Sequence, residues 1–404
     1  MDTDGRLSRR ARLILGGASL FFALGLAIAL AVHGRQVDID VYLMGGAHAS
    51  SRDLYSLRLP GSGLYFTYPP FAALLFVPLA QIPREGAQIL WAFVDVAGLF
   101  WLLYASIRTL RPDLAGGRSG RWAVLLVTPA ILLDPVLVNT YLGQLNVLIV
   151  ALVVTDLGLG SGRIPRGVLT GIAAAVKLTP LIFIPFLLLT RQRRAACWAL
   201  ATFVACGAAG FVVTPHASWL FWTKDVFLPS RAGNLLFISD QNLKSAAMRI
   251  AHGPVPGSVL WAVTVGVGLF GLALSVWARR ASSPMLGILV CATTGLIVSP
   301  ITWSHHLVWA VPAILWFALG ADRPAGGWRW PAAIAVFFWA GPIWWVPRHD
   351  QRGLHQKIWE LILGDAFFWA MLAFLLGVAL LLTWRRRLDR SGLKGLVKPA
   401  IALG

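Results

Sequence analysis

The chain has 404 residues, of which 57% are hydrophobic and only 13% charged, whereas an ordinary soluble domain is about 25% charged. So much apolar surface excludes a water-soluble globule. The formal net charge of +18 suggests nucleic acid, but the Lys and Arg residues fall in short clusters at the ends of apolar runs. They form no continuous basic surface of the kind a DNA or RNA partner needs, and they mark topology instead, because such residues gather in cytoplasmic loops.

Leu13 to Val32 is an uninterrupted apolar run, and about 20 such residues cross a hydrocarbon core about 30 Å thick. Arg9, Arg10 and Arg12 precede it with no small-residue cleavage site after it, so it reads as a retained signal anchor with its N-terminus inside. A polar stretch, residues 33–68, then forms a first periplasmic loop. Pro69 to Ile82 is too short to span comfortably and is expected to be re-entrant or interfacial. Ala87 to Ile107 runs inward, which puts Arg108, Arg111, Arg118 and Arg121 on the cytoplasmic side. Trp122 to Val138 goes out and Leu145 to Leu159 returns.

Gly167 to Val176 and Pro180 to Thr190 are each too short to span, and basic residues flank both. They read as a hairpin of shortened helices broken at Lys177 to Pro180. Cys197 to Val213 exits to a second periplasmic loop, residues 214–256. Val259 to Ala278, Leu286 to Val298, Val308 to Leu319, Pro331 to Trp345 and Ala366 to Trp384 then alternate across the bilayer. The three cysteines, Cys197, Cys206 and Cys291, lie in apolar segments and imply no disulfide framework. The expectation is one all-α polytopic membrane domain over residues 1–404. It has about twelve transmembrane helices counting the broken hairpin, short interfacial helices in the periplasmic loops, and a cytoplasmic basic tail at residues 385–404.

Several polar clusters fall on the outer side of this path. Asp38 and Asp40 share a face if their segment is extended and diverge if it is helical. Either could hold a metal or act as a base, or both could belong to a solvated loop. Tyr42, Gly45, Gly46, Tyr55, Tyr65 and Tyr68 accompany them, and aromatic rings beside carboxylates suit sugars. Gln144 and Asn146, with Asn139 and Asp134 before them, could donate to a ligand or cap a helix. Lys177, a cation at a broken membrane helix, could meet a phosphate or snorkel to an interface. Asp240, Asn242 and Lys244 lie behind an aromatic stretch, Trp219 to Trp222. His305 and His306 are adjacent, about 100° apart on a helix, which suits a phosphate or hydroxyl partner better than a shared zinc. No phosphate-binding loop ending in Gly-Lys-Ser/Thr occurs, so an ATP-driven pump is not expected.

Asp40-Val41-Tyr42, Thr67-Tyr68-Pro69-Pro70-Phe71, Gly143-Gln144-Leu145-Asn146, Lys177-Leu178-Thr179-Pro180 and Ser304-His305-His306 occur in that order. In this the chain resembles the actinobacterial polyprenyl-phosphate-mannose-dependent mannosyltransferases of glycosyltransferase family 87, within the membrane glycosyltransferase C (GT-C) superfold. The resemblance implies inverting transfer of mannose, at the periplasmic face of the plasma membrane, from a β-linked polyprenyl phosphate donor to a glycolipid hydroxyl. Transfer to a phosphatidylinositol mannoside is favoured over branching of lipomannan or lipoarabinomannan. Two rival classes are a lipid-linked sugar transporter or flippase, which would call for pseudo-symmetric halves, and a non-enzymatic membrane scaffold, which would not explain five polar clusters on one side. Asp40 matches the family's catalytic aspartate. Lys177, His305, His306 and Lys244, with Arg231 behind them, are the expected partners of the donor phosphate. Asp38, Tyr42, Tyr68, Gln144, Asn146 and Asn242 are the expected substrate contacts, and the inventory calls for no metal or cofactor.

Overall fold

The computed structural model describes residues 9–34, 36–160 and 162–390; the end of the expected basic tail lies outside them. The described elements are helical. Among the described residues five helices are long and apolar enough to cross a membrane: α1 (Arg9–His33, from Leu13), α4 (Arg84–Leu110), α10 (Arg193–Val213), α13 (Gly257–Ala281) and α18 (Ala366–Arg390, to Leu388). A sixth candidate is the pair α5 (Gly116–Ile131) and α6 (Asp134–Leu142), bent by 81°. Four shorter apolar helical stretches lie between these. Length and composition therefore support a multi-pass membrane protein; the four shorter stretches bring the candidates to ten, and a count of about twelve adds the helices Val168–Val176 and Arg329–Ala340.

Local sequence explains the breaks. The segment expected as one span, Trp122 to Val138, divides because Pro129 lies inside α5 and Pro135 opens α6; a proline fits the first turn of a helix but not its interior. The expected hairpin appears as α8 (Val168–Val176) and α9 (Phe183–Leu189) around a short 3-10 turn, Thr179–Ile182, with Lys177 extended between them. Pro69 to Ile82 becomes α3 (Pro70–Phe76) and one 3-10 turn, too short to cross. The next stretch after α6 is α7 (Asn146–Val154), followed by a π turn over Thr155–Leu159.

Two apolar cores form. One joins α1, α4, α5 and α7 to α14 (Pro284–Val298), α15 (Ala310–Leu319) and α18. The other gathers α2 (Val37–Ala47), α3, α8, α9 and α10 around Tyr55, Phe66 and Tyr68 of the first loop. Close helix crossings use glycine: a Cβ on Gly171 of α8 would collide with the Ala199 carbonyl of α10, and one on Gly271 of α13 with Thr294 of α14. After α11 (Pro215–Thr223), the second loop carries α12 (Leu243–Ile250), pinned by a fully buried ion pair between Arg249 and Asp365. Asp365 sits between α17 (Ile358–Gly364) and α18, whereas α16 (Arg329–Ala340) packs on α15.

Candidate functional site

The first loop does not stay extended after α1. Its start folds into α2, with Asp38 and Asp40 in the first turn, where the helix dipole favours acids. Two residues apart on a helix, their side chains diverge by about 200°. Asp40 turns toward α4 and makes a two-point ion pair with Arg84, Nε to Oδ1 at 2.6 Å and Nη2 to Oδ2 at 3.0 Å. Asp38 turns the other way, into a cavity of about 230 Å³. Around that cavity stand Tyr55, Tyr65, Tyr68, Gln144, Lys177, Arg231, Trp303 and His306.

The cavity wall is a hydrogen-bonded assembly. Gly143 adopts a left-handed φ of 74° at the end of α6 and turns the chain sharply into Gln144. Gln144 Oε1 accepts from Tyr68 at 3.0 Å and from Tyr42 at 3.3 Å, while the two tyrosine hydroxyls lie 3.0 Å apart. Tyr55 donates to the Tyr68 carbonyl at 2.7 Å. Lys177 Nζ donates to Asn146 Oδ1 at 2.7 Å and lies 3.0 Å from His306 Nε2. An ammonium has three donors, so one is left for a ligand. The Arg231 guanidinium lies 4.1 Å from the Tyr65 ring centre, pairs with Asp225 at 3.4 Å and donates to the Tyr55 carbonyl. Burial pushes the Asp38 carboxyl up to about 6, with Gln144 and the Lys177 charge pulling the other way.

The expected residues therefore divide. Asp38, Tyr68, Gln144, Lys177 and His306 meet at the cavity, and Arg231 joins them from the second loop. Asn146 stands behind Lys177 and lines a crevice of about 30 Å³ beyond it. The placement of the others differs from the expectation. Asp40 is outside the lining, engaged by Arg84. Tyr42 is fully buried and stacked on Phe76 at 4.3 Å, so it braces Tyr68 and Gln144 from behind. Asn242 is fully buried as the N-cap of α12, accepting from Ser245 N at 2.8 Å and donating to Asp240 at 3.0 Å. Lys244 follows on that helix, away from the lining. His305 is buried beside His306 with its ring centre 5.0 Å away, and it also stands outside the lining.

Sequence reading passed over Arg84 and Asp225. Neither belongs to a motif, and each is placed by a partner distant in sequence or by loop folding. The Asp40 pair carries its own prediction. Its side chains are 22% and 45% exposed, so its loss should cost no more than about 1 kcal/mol. Asp40→Asn should keep turnover within about threefold of wild type, measured as initial rate of sugar transfer at saturating substrates.

Two further spaces share lining residues in turn with the cavity. His306 lines both the cavity and the crevice, and Trp309 and Leu296 line both the crevice and a third space of about 620 Å³. That space is apolar, walled by Leu289, Trp316, Phe337 and Phe374.

The model of glycosyltransferase family 87 matches residues 66–300. A polyprenol-phosphate-mannose-dependent alpha-(1-2)-phosphatidylinositol mannoside mannosyltransferase of Mycobacterium tuberculosis is 34% identical, covering 98% of this chain and 97% of its own. One of the same description from Mycolicibacterium smegmatis is 32% identical over 85% of this chain and 84% of its own. A polyprenol-phosphate-mannose-dependent alpha-(1-2)-phosphatidylinositol pentamannoside mannosyltransferase of Mycobacterium tuberculosis is 30% identical over 86% and 80%. No solved structure matches the chain. With a family model across more than half its length and relatives alike nearly end to end, the chain belongs to glycosyltransferase family 87.

Proposed function

We propose that the protein is an inverting mannosyltransferase. It moves mannose from polyprenyl-phosphate mannose to a hydroxyl of a phosphatidylinositol mannoside, in an alpha-(1-2) linkage, at the periplasmic face of the plasma membrane. The observation that carries this reading is the meeting, in one cavity, of a raised carboxylate on Asp38 and the Lys177 ammonium, which is hydrogen-bonded beside His306. The relatives' names supply the donor and the acceptor.

Asp38 is the general base. The acceptor hydroxyl attacks the anomeric carbon as its proton passes to an Asp38 carboxylate oxygen. The bond from that carbon to the phosphate oxygen breaks, and its electron pair leaves with polyprenyl phosphate. The phosphate gains one negative charge in the process, which the third donor of Lys177 meets; His306 and Arg231 also line the cavity. Aromatic rings of Tyr55, Tyr65, Tyr68 and Trp303 suit sugar faces. The apolar space beyond Trp309 fits the polyprenyl chain, whose burial there removes it from water. On this reading the shorter apolar helices, together with α8 and α16, complete about twelve crossings.

The pH profile follows from the same carboxylate. A base must be ionised to act, and the Asp38 carboxyl is raised to about 6. Hence kcat/KM should fall about tenfold per unit below pH 6; an acid limb near pH 4 would mean an unperturbed carboxylate does the work. The assignment as a whole is tested by incubating purified protein with labelled polyprenyl-phosphate mannose and phosphatidylinositol mannosides. A product one mannose larger, dependent on the intact donor, is expected; donor hydrolysis without transfer would contradict it.

A further inference from the structure

Asp95 lies well inside α4 and is 3% exposed. Burying a carboxylate there is costly unless it has partners, and nothing in the transfer step uses it. Its partners are specific. Oδ1 accepts from Asn139 Nδ2 at 3.0 Å, and Oδ2 accepts from the Thr140 hydroxyl.

Asn139 Nδ2 donates a second time, to the Gln144 carbonyl at 3.1 Å. Both neighbours of that nitrogen are acceptors, so the amide can stand only one way round, with its oxygen facing α7. There Oδ1 accepts from Asn146 N at 3.2 Å and from Asn146 Nδ2 at 3.1 Å. This fixes the second amide as well. With its nitrogen committed to Asn139, Asn146 must aim its oxygen at Lys177 Nζ, 2.7 Å away. A reversed Asn146 would set NH2 against NH3+, donor against donor.

We propose that Asp95 is a positioning residue: it is the acceptor end of a one-way relay through Asn139 and Asn146 that aims an amide oxygen at Lys177 and so fixes where that cation stands. The relay spans α4, α6, α7 and the break after α8. It also ties the Gln144 backbone, and with it the amide that holds Tyr68. The consequence for transfer rests on Lys177 facing the donor phosphate, but the orientation of Lys177 does not.

Two variants separate direction from bulk. Asp95→Leu is close in size and removes both acceptors. Asp95→Asn keeps an oxygen for Asn139, and its NH2 can donate to the Thr140 hydroxyl, so the relay keeps its direction. The first readout is labelling of Lys177 by trinitrobenzenesulfonate in detergent-purified full-length protein, followed by mass spectrometry of its peptide. The rate should change by about fivefold or more in Asp95→Leu and stay within about twofold of wild type in Asp95→Asn. The second readout is kcat/KM for the donor. Asp95→Leu should lower it about tenfold in the wild-type background and hardly further in Lys177→Met, because the two sites act as one unit. If Asp95→Leu does not accumulate as folded protein, Asn139→Ser interrupts the relay at its middle and carries the same expectations. Unchanged Lys177 labelling in a folded variant, or an equal loss in both backgrounds, would overturn the proposal and leave Asp95 as packing. If labelling shifts while Lys177→Met uses donor normally, the relay stands and the phosphate role of Lys177 falls.

Discussion

Asp38→Asn should lower turnover by about 10² to 10⁴, the usual worth of a general base, while Asp40→Asn stays near wild type. The substitution keeps the shape of the side chain and an oxygen for neighbouring donors, but an amide cannot take a proton at neutral pH. Binding of the acceptor should survive, so the loss belongs in kcat and not in KM. The contrast with Asp40 makes the prediction discriminating. The two carboxylates are two residues apart, and only Asp38 lines the cavity, whereas Asp40 is held by Arg84. Initial rates with both substrates saturating, on variants that melt at the wild-type temperature, decide it. An active Asp38→Asn beside an inactive Asp40→Asn would return the base to the position the sequence motif suggested.

Lys177→Met should cost about 10² to 10³ in kcat, comparable to removing one preorganised donor from an oxyanion site. The methionine stem fills much of the same volume, but the charge that meets the leaving phosphate is gone. The phosphodiester carries one negative charge before transfer, and the departing phosphate carries two. The interaction therefore strengthens along the reaction, and its loss should appear mainly in kcat. Lys177→Arg should recover part of the rate, because the charge returns while the contacts at Asn146 and His306 are misfitted. Single-turnover rates with donor in excess measure the step itself. An unchanged rate in Lys177→Met would move the role to Arg231 or His306.

Much of the architecture was legible because long apolar runs have few alternatives in water or in lipid. Lys177 to Pro180 announced its own helix break through its proline and lone cation. Pro129 and Pro135 mark the break between α5 and α6 as well, but the apolar run across them reads as one span, and only backbone geometry gives the 81° turn. The resemblance to family 87 is borne out by the family match and by the relatives. Within the site, the motifs pointed to Tyr68, Gln144, Lys177 and His306, which meet at one cavity.

The ordering of Asp38 and Asp40 was not legible, for a physical reason. Val37 to Tyr42 alternates β-branched and acidic residues, a pattern that fits a strand as well as a helix, and only the helix sends the two carboxylates apart. Asn242 looks like a ligand-binding residue in sequence because cap residues and binding residues share the same chemistry; its burial and the bond it accepts from Ser245 N place it as a cap. Asp95 gave no signal beyond being an acid in a span. Its partners Asn139 and Thr140 lie on another helix, and the direction of the Asn139 amide depends on a third.

The central claim is a single displacement at one cavity, with one base and no covalent sugar intermediate. The anomeric configuration of the product tests it most directly. Mannose transferred from the β-linked donor by purified wild-type protein should carry an α linkage, read from the one-bond carbon–hydrogen coupling at its anomeric carbon by NMR. A β-linked product, meaning retention through two displacements, would contradict the account.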